Sequence, residues 1–296
     1  MLCKKPYMKT ANTSRLQTVL SVNARTAATP FGCGQCFHCR INKKREWSTR
    51  ILLESMTHNQ SVFLTLTYND EHLPKCGNLQ PNELKNYLKK IRKSLAPRTL
   101  RYFAVGEYGD QNWRPHYHLI LFNVGYQDQE ALKAGWSLHK QEKGFIQLGD
   151  VNKKTAHYIA GYCFKKLTGK NDPKLHGREP EFMRCSTKNG GIGYPAIKII
   201  AQQLKKHADT DKRVTREIRV GGQKLPLGRY LTEKLSQELE ISDRIKEKEL
   251  YDYQEDLFNT YMDSSTTYYT NILDLNAPKR LSKEKRTEIF KTGRYL

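Results

Sequence analysis

The stretch RPHYHLILF, residues 114–122, constrains this chain more than any other. A β-strand sends alternate side chains to opposite faces, so His116, His118, Ile120 and Phe122 form one row, and Tyr117, Leu119 and Leu121 the other. The two imidazoles therefore stand side by side at the head of an apolar strand bound for the core. Burying polar nitrogens costs free energy without partners, and two protonated imidazoles repel. A shared divalent cation removes both penalties. Two half-exposed histidines bonded to backbone or water would satisfy the same spacing.

The flanking segments suggest what that strand pairs with. LRYFAVGEY (100–108) reads as a strand and is joined to HYHLILFNV by the short polar link GDQNWRP. Consecutive strands joined in this way pair antiparallel, which brings Glu107 close to the histidines. SVFLTLTY (61–68) is β-branched and aromatic and suits a central strand. Pro81 opens a helix with Leu84, Leu88, Ile91 and Leu95 at helical spacing, ending before Pro97. INKKREWSTRILLESMTHN reads as a helix with a basic outer side, GFIQLGD as a short strand, and KKTAHYIAGYCFKKLTG as a helix closed by Gly169. DPKLHGREPEFMRCSTKNGGIG is rich in turn formers and is expected to be a surface excursion. This order predicts an α+β fold with an antiparallel sheet and flanking helices. An N-terminal cysteine knuckle and basic helix segment (1–58) precedes the central domain (59–200). A polar, solvated helical accessory region (201–296) follows.

On the later helix Tyr158, Tyr162 and Lys165 fall on one face at about 100° per residue. A helix with half-buried tyrosines and solvated lysines meets the same pattern. Gly161 between them costs a helix about 1 kcal/mol relative to Ala, a cost explained if a backbone or ligand must approach closely. A phenol can attack a phosphodiester when its oxygen is activated and the phosphate is polarised by a Lewis acid. The His-x-His pair with a carboxylate would supply the metal, Tyr158 or Tyr162 the attacking oxygen, and Lys165 stabilisation of developing negative charge.

Charge identifies the partner. Of the net +21, residues 1–200 hold 32 Lys/Arg against 14 Asp/Glu, whereas 201–296 hold 19 against 16. A basic field of this kind suits phosphate backbones. No run approaches the roughly 18 apolar residues of a membrane span. The opening residues lack a signal-peptide apolar block, so a cytoplasmic protein with no membrane partner is expected.

Seven cysteines, an odd number without an export signal, argue against a disulfide framework. Cys33, Cys36 and Cys39 cluster in CGQCFHCR, and Cys3 could supply a fourth thiolate to a structural Zn²⁺, with His38 the alternative ligand. Reduced, partly buried thiols are the other reading. Cys76, Cys163 and Cys185 are isolated and receive no role.

FLTLTYNDEHLP, GEYGDQNWRPHYHLILF and YIAGYCFKK, in that order, resemble the three motifs of HUH-superfamily rolling-circle replication initiators. The likeness is specifically to those of microviruses, the gokushovirus-like single-stranded DNA bacteriophages. CGQCFHCRINKKREW, the preceding Cys3 and PEFMRCSTKNGGIG extend the resemblance in patches from about residue 3 to 195. It implies an HUH endonuclease-like domain over 59–200, with His116, His118 and Glu107 as ligands of Mg²⁺ or Mn²⁺. It further implies that Tyr162 or Tyr158 attacks origin DNA, leaving a 5′-phosphotyrosine and a 3′-OH that primes the host DNA polymerase, and that the strand is later rejoined. Tyr68, His72, Arg114 and Lys166 would contact single-stranded DNA. No ATP-binding Gly-rich Lys motif is present, so unwinding would fall to a host helicase, all in the cytoplasm of the bacterial host. Cys163 departs from the pattern, standing where an aliphatic residue is expected. A plasmid relaxase or single-strand transposase shares this chemistry. A non-enzymatic zinc-containing nucleic-acid-binding protein is the alternative of a different class.

Overall fold

A computed structural model of the chain describes residues 3–10, 28–109, 111–165, 173–207, 214–241 and 268–291, with isolated positions at 252, 255, 256 and 259. In chain order the elements are β1 (Tyr7–Thr10), β2 (Ala28–Phe31), α1 (Phe37–Ser55), β3 (Ser61–Leu66), α2 (Pro81–Ser94), β4 (Arg101–Tyr108) and β5 (Pro115–Phe122). There follow α3 (Gln129–Gly135), β6 (Ser137–Leu138), β7 (Gln141–Glu142), β8 (Ile146–Asp150), α4 (Lys153–Lys165) and β9 (Phe182–Cys185). The last are α5 (Tyr194–His207), β10 (Glu217–Val220), β11 (Gln223–Pro226), α6 (Gly228–Glu238) and α7 (Tyr268–Lys291). The chain divides into two compact units, residues 44–239 and residues 1–43 with 240–296.

The first of these units is α+β, built on a five-stranded sheet in the order β8-β3-β5-β4-β9 with every neighbour antiparallel. Period-2 alternation divides its side chains between two cores. Leu64, Leu66, Ala104, Leu119 and Leu121 bury one face against Leu84, Leu88 and Ile91 of α2 and Leu132 of α3. Phe103, Val105, Ile120 and Phe122 bury the other against Ile51 of α1 and Ala156, Ile159 and Ala160 of α4. Each fully buried aliphatic side chain of this kind contributes about 1.5–3 kcal/mol. The second face carries His116 and His118, so α4 is the helix packed over their row.

A buried ionic cluster ties α1 to β4. Glu54 is fully buried and accepts hydrogen bonds from the Arg101 guanidinium, from Gly193 N at 2.7 Å and from His58 at 3.3 Å. Arg101 also donates to the carbonyls of Lys188 at 2.6 Å and Gly190 at 3.1 Å.

Three expectations need correction. The turn-rich stretch after residue 172 contains edge strand β9, paired with β4 from Phe103↔Cys185 to Gly106↔Phe182. Its side chains are mostly polar, but Phe182 lies over Gly106, where a Cβ would come within 2.7 Å of the ring. The mixed stretch 126–150 holds α3 and the small β6–β7 hairpin besides β8. Residues 201–239 are not a solvated accessory region, because Leu227, Leu231 and Leu235 pack with Ile197, Ala201 and Leu53 in a third core. The leucines recur every fourth residue, a helix stripe masked in the sequence by the charged residues between them.

In the other unit β1 and β2 pair antiparallel from Tyr7↔Phe31 to Thr10↔Ala28. The buried His38 at the start of α1 meets Glu284 of α7 through Nε2 at 3.1 Å, and Lys4 pairs with the same carboxylate at 2.8 Å. No helix among the described residues is long and apolar enough to cross a membrane.

Candidate active site

Strand register assembles the site. β4 and β5 pair with Glu107 opposite His116, and β3 and β5 pair with Thr65 opposite His118. Both imidazoles turn Nε2 to one carboxylate oxygen, Glu107 Oε1, at 2.7 Å from His116 and 3.2 Å from His118. The opposite ring nitrogens are held as well. His116 Nδ1 lies 3.2 Å from the Arg114 carbonyl, and His118 Nδ1 lies 2.9 Å from Thr65 Oγ1. Such bonds fix ring orientation and leave the Nε2 side aimed at a shared point. One ligand atom from each of Glu107, His116 and His118 falls within 4.8 Å of the others, and Glu107 and His118 are buried.

This donor set fits a divalent cation of the Mg²⁺ or Mn²⁺ type, with imidazole and carboxylate ligands and a strand end that leaves other positions open to substrate. The electrostatics are consistent with an anion at its centre. Burial raises the Glu107 carboxyl, but the hydrogen bonds from His116 and His118 outweigh it and hold the group below the usual carboxylate range. Burial lowers His116, yet its bond to Glu107 brings it above the ordinary imidazole value, whereas burial dominates at His118 and lowers it.

The tyrosines meet these ligands. The Tyr162 ring stacks on His118 with centroids 5.0 Å apart and planes 14° from parallel. Tyr158 lies edge-on to His118 at 5.7 Å and to Tyr162 at 4.6 Å, and the Tyr162 hydroxyl donates to that of Tyr158. Tyr158 is 49% exposed, so the phenol pair faces solvent from the lip of the buried histidine site. Phe63 stacks on the other side of His118 at 5.6 Å and touches Tyr158 edge-on at 6.2 Å. Alternation along SVFLTLTY puts Phe63 and Thr65 in one row, but only the β3–β5 register sets that row beside His118.

The neighbouring side of α4 is basic. The end of the Lys44 side chain lies over Gly161, with Cε and Nζ 3.2 Å from where a Cβ would stand. Burial, together with Lys44, Lys153 and Arg45, drives the His157 imidazole down to about 4. Lys165 ends α4, and its side chain and the whole of Lys166 lie outside the described residues, as does Gly169, expected to close this helix.

The remaining expected contacts separate. Tyr68 is in the core, donating to Glu83 at 2.7 Å and lying 3.0 Å from the Tyr117 hydroxyl. It braces the loop from inside, so the expectation that it touches DNA is corrected. His72 sits in a turn, its N–H and Nδ1 both 2.9 Å from Asn69 Oδ1. Arg114 is partly exposed and spans Asp70 Oδ1 at 2.7 Å and the Tyr68 carbonyl at 3.0 Å, tying that loop to the head of the histidine strand. In the other unit Cys3, Cys33, Cys36 and Cys39 gather their Sγ atoms within 4.8 Å of one another.

Comparison with known proteins points the same way. Residues 61–167, which carry all these strands and the tyrosine helix, match the family model described as replication-associated protein ORF2. The chain is 29% identical over 292 residues to replication-associated protein ORF2 of Spiroplasma virus 4, covering 88% of this chain and 86% of that one. It is 34% identical over 168 residues to replication-associated protein VP4 of Bdellovibrio phage phiMH2K, covering 51% of this chain and 53% of the relative. A third match, 26% identical over 155 residues, is replication-associated protein ORF4 of Chlamydia phage 1, at 47% and 39% coverage. No solved structure matches. With its matched segment centred on the His116/His118 sheet, this chain belongs among the replication-associated proteins of the microviruses.

Proposed function

We propose that the chain is an HUH endonuclease that initiates rolling-circle replication of a single-stranded DNA phage. The observation that carries this reading is the stacking of Tyr162 on His118, itself in reach of Glu107 and His116. Glu107, His116 and His118 hold Mg²⁺ or Mn²⁺, which supplies Lewis-acid polarisation of the scissile phosphate when bound. Thr65 and the Arg114 carbonyl keep the two imidazoles turned toward it.

One phenol, Tyr162 or Tyr158, loses its proton and its oxygen attacks phosphorus. A tyrosine–phosphate bond forms, the P–O3′ bond breaks, and O3′ takes up a proton. The free 3′-OH is a primer for the host DNA polymerase, with a host helicase opening the duplex. The phosphotyrosine retains the energy of the broken bond, so reversal by an incoming 3′-OH rejoins the strand without ATP. Two adjacent phenols suit two successive cuts, the second hydroxyl accepting the strand while the first is occupied. Lys44, Arg45 and Lys153 keep this side of α4 positive for the approaching phosphates, and Lys165, on the tyrosines' helix face, stabilises the developing charge.

The test is covalent capture. A single-stranded origin oligonucleotide incubated with Mn²⁺ and the full chain yields an adduct that peptide mass spectrometry maps to Tyr158 or Tyr162. The variant carrying both Tyr158→Phe and Tyr162→Phe forms none while still binding DNA. An adduct that persists in this variant, or one mapped elsewhere, overturns the proposal.

A further inference from the structure

We propose that Cys3, Cys33, Cys36 and Cys39 form a tetrathiolate Zn²⁺ site, a structural centre separate from the Glu107/His116/His118 cluster. Three observations converge. The four sulfurs lie within 4.8 Å of one another, although Cys3 is separated from the others by some thirty residues of chain. Four Zn–S bonds of about 2.3 Å at tetrahedral angles put ligand sulfurs about 3.8 Å apart. Cys3 and Cys36 Sγ stand at 3.8 Å. A disulfide would need a separation of about 2 Å.

Backbone amides already serve the sulfurs. Cys33 N donates to Cys3 Sγ and Cys36 N to Cys33 Sγ, each at 3.3 Å. Bonds of this kind delocalise thiolate charge and orient the ligands. The turn between Cys33 and Cys36 passes through Gly34 at φ +75°, a conformation that favours glycine. Gly32 leaves room for the cluster, since a Cβ there would stand 2.9 Å from Cys39 Sγ.

The alternative fourth ligand is occupied elsewhere. His38 is buried with Nε2 on Glu284 and is absent from the converging set, so the fourth position belongs to Cys3. The thiols give up their protons as the metal binds, leaving a doubly negative centre with four sulfur ligands and no open coordination position. That closed geometry belongs to structural zinc. The centre would pin the first residues of the chain to the opening turn of α1.

Metal analysis of the full chain tests this without reference to nicking. The protein purified with zinc in the medium is expected to retain one Zn²⁺ per chain after dialysis against a weak chelator. Exchange with Co²⁺ should produce the thiolate charge-transfer and tetrahedral d–d bands of a Co(Cys)₄ site. Cys3→Ser and Cys39→Ser should each lower zinc retention at least tenfold, while Cys185→Ser and the double variant His116→Ala/His118→Ala leave stoichiometry unchanged. If a cysteine variant fails to fold, titration of wild type with an organomercurial substitutes for it and should release zinc in step with four thiols. Chain isolated without zinc, or zinc lost with the histidines rather than the cysteines, overturns the site. Neither outcome touches the tyrosine chemistry, which the adduct assay reads separately.

Discussion

Thr65 shows how much of this site is positioning. It contributes no ligand, yet its hydroxyl is 2.9 Å from His118 Nδ1, and nothing in the sequence singles the residue out. Removing such a partner usually costs about 10–100-fold in metal affinity. Thr65→Val should therefore raise the Mn²⁺ concentration for half-maximal nicking by at least about tenfold while activity at saturating metal largely returns. A loss not rescued by metal would assign Thr65 a different role. Glu107, by contrast, was legible from sequence, because a short link between two strands dictates antiparallel pairing and its position opposite His116 follows.

At the scale of elements, the Glu54 cluster and Gly106 decide how helices and strands lock together. Burial raises the Glu54 carboxyl, but its bonds to His58, Arg101 and Gly193 N hold it below the usual carboxylate range. A carboxyl lowered in the folded state contributes stability that is present above its unfolded value of about 4.3 and lost as pH falls through the folded one. Glu54→Gln should cost about 3 kcal/mol at pH 7, because it strands a buried guanidinium, and the gap from wild type should narrow below about pH 4. Urea unfolding at both pH values checks this, and an unchanged gap would discount the ionic cluster. Gly106→Ala should lower stability by about 1–3 kcal/mol in the same assay, since the new methyl meets the Phe182 ring and Leu79. The sequence hid this contact because β9 has too few apolar residues to announce itself as a strand.

For the whole molecule, the basic field and the metal site have separable signatures. Affinity for single-stranded DNA should fall with salt, the slope of log K against log salt being about −0.7 per phosphate neutralised, and fluorescence anisotropy reads it directly. A chelator stronger than the Glu107/His116/His118 site should stop nicking and leave that binding largely intact. If binding disappeared with the metal, the cation rather than the +21 charge would be holding the DNA.

Alternation, helical spacing and charge by themselves determined the α+β class, the antiparallel pairing of the histidine strand, the one-face placement of Tyr158 and Tyr162, and a phosphate-bearing partner. These are local quantities, set by a period of about two or 3.6 residues or by composition. Tertiary structure alone decided that α4 packs over the histidine face, that Tyr162 stacks on His118, that Tyr68 points inward, and that Cys3 rather than His38 joins the other cysteines. Each of these depends on which surface of an element is covered by a segment distant in sequence, and packing between distant segments leaves no periodic trace along the chain.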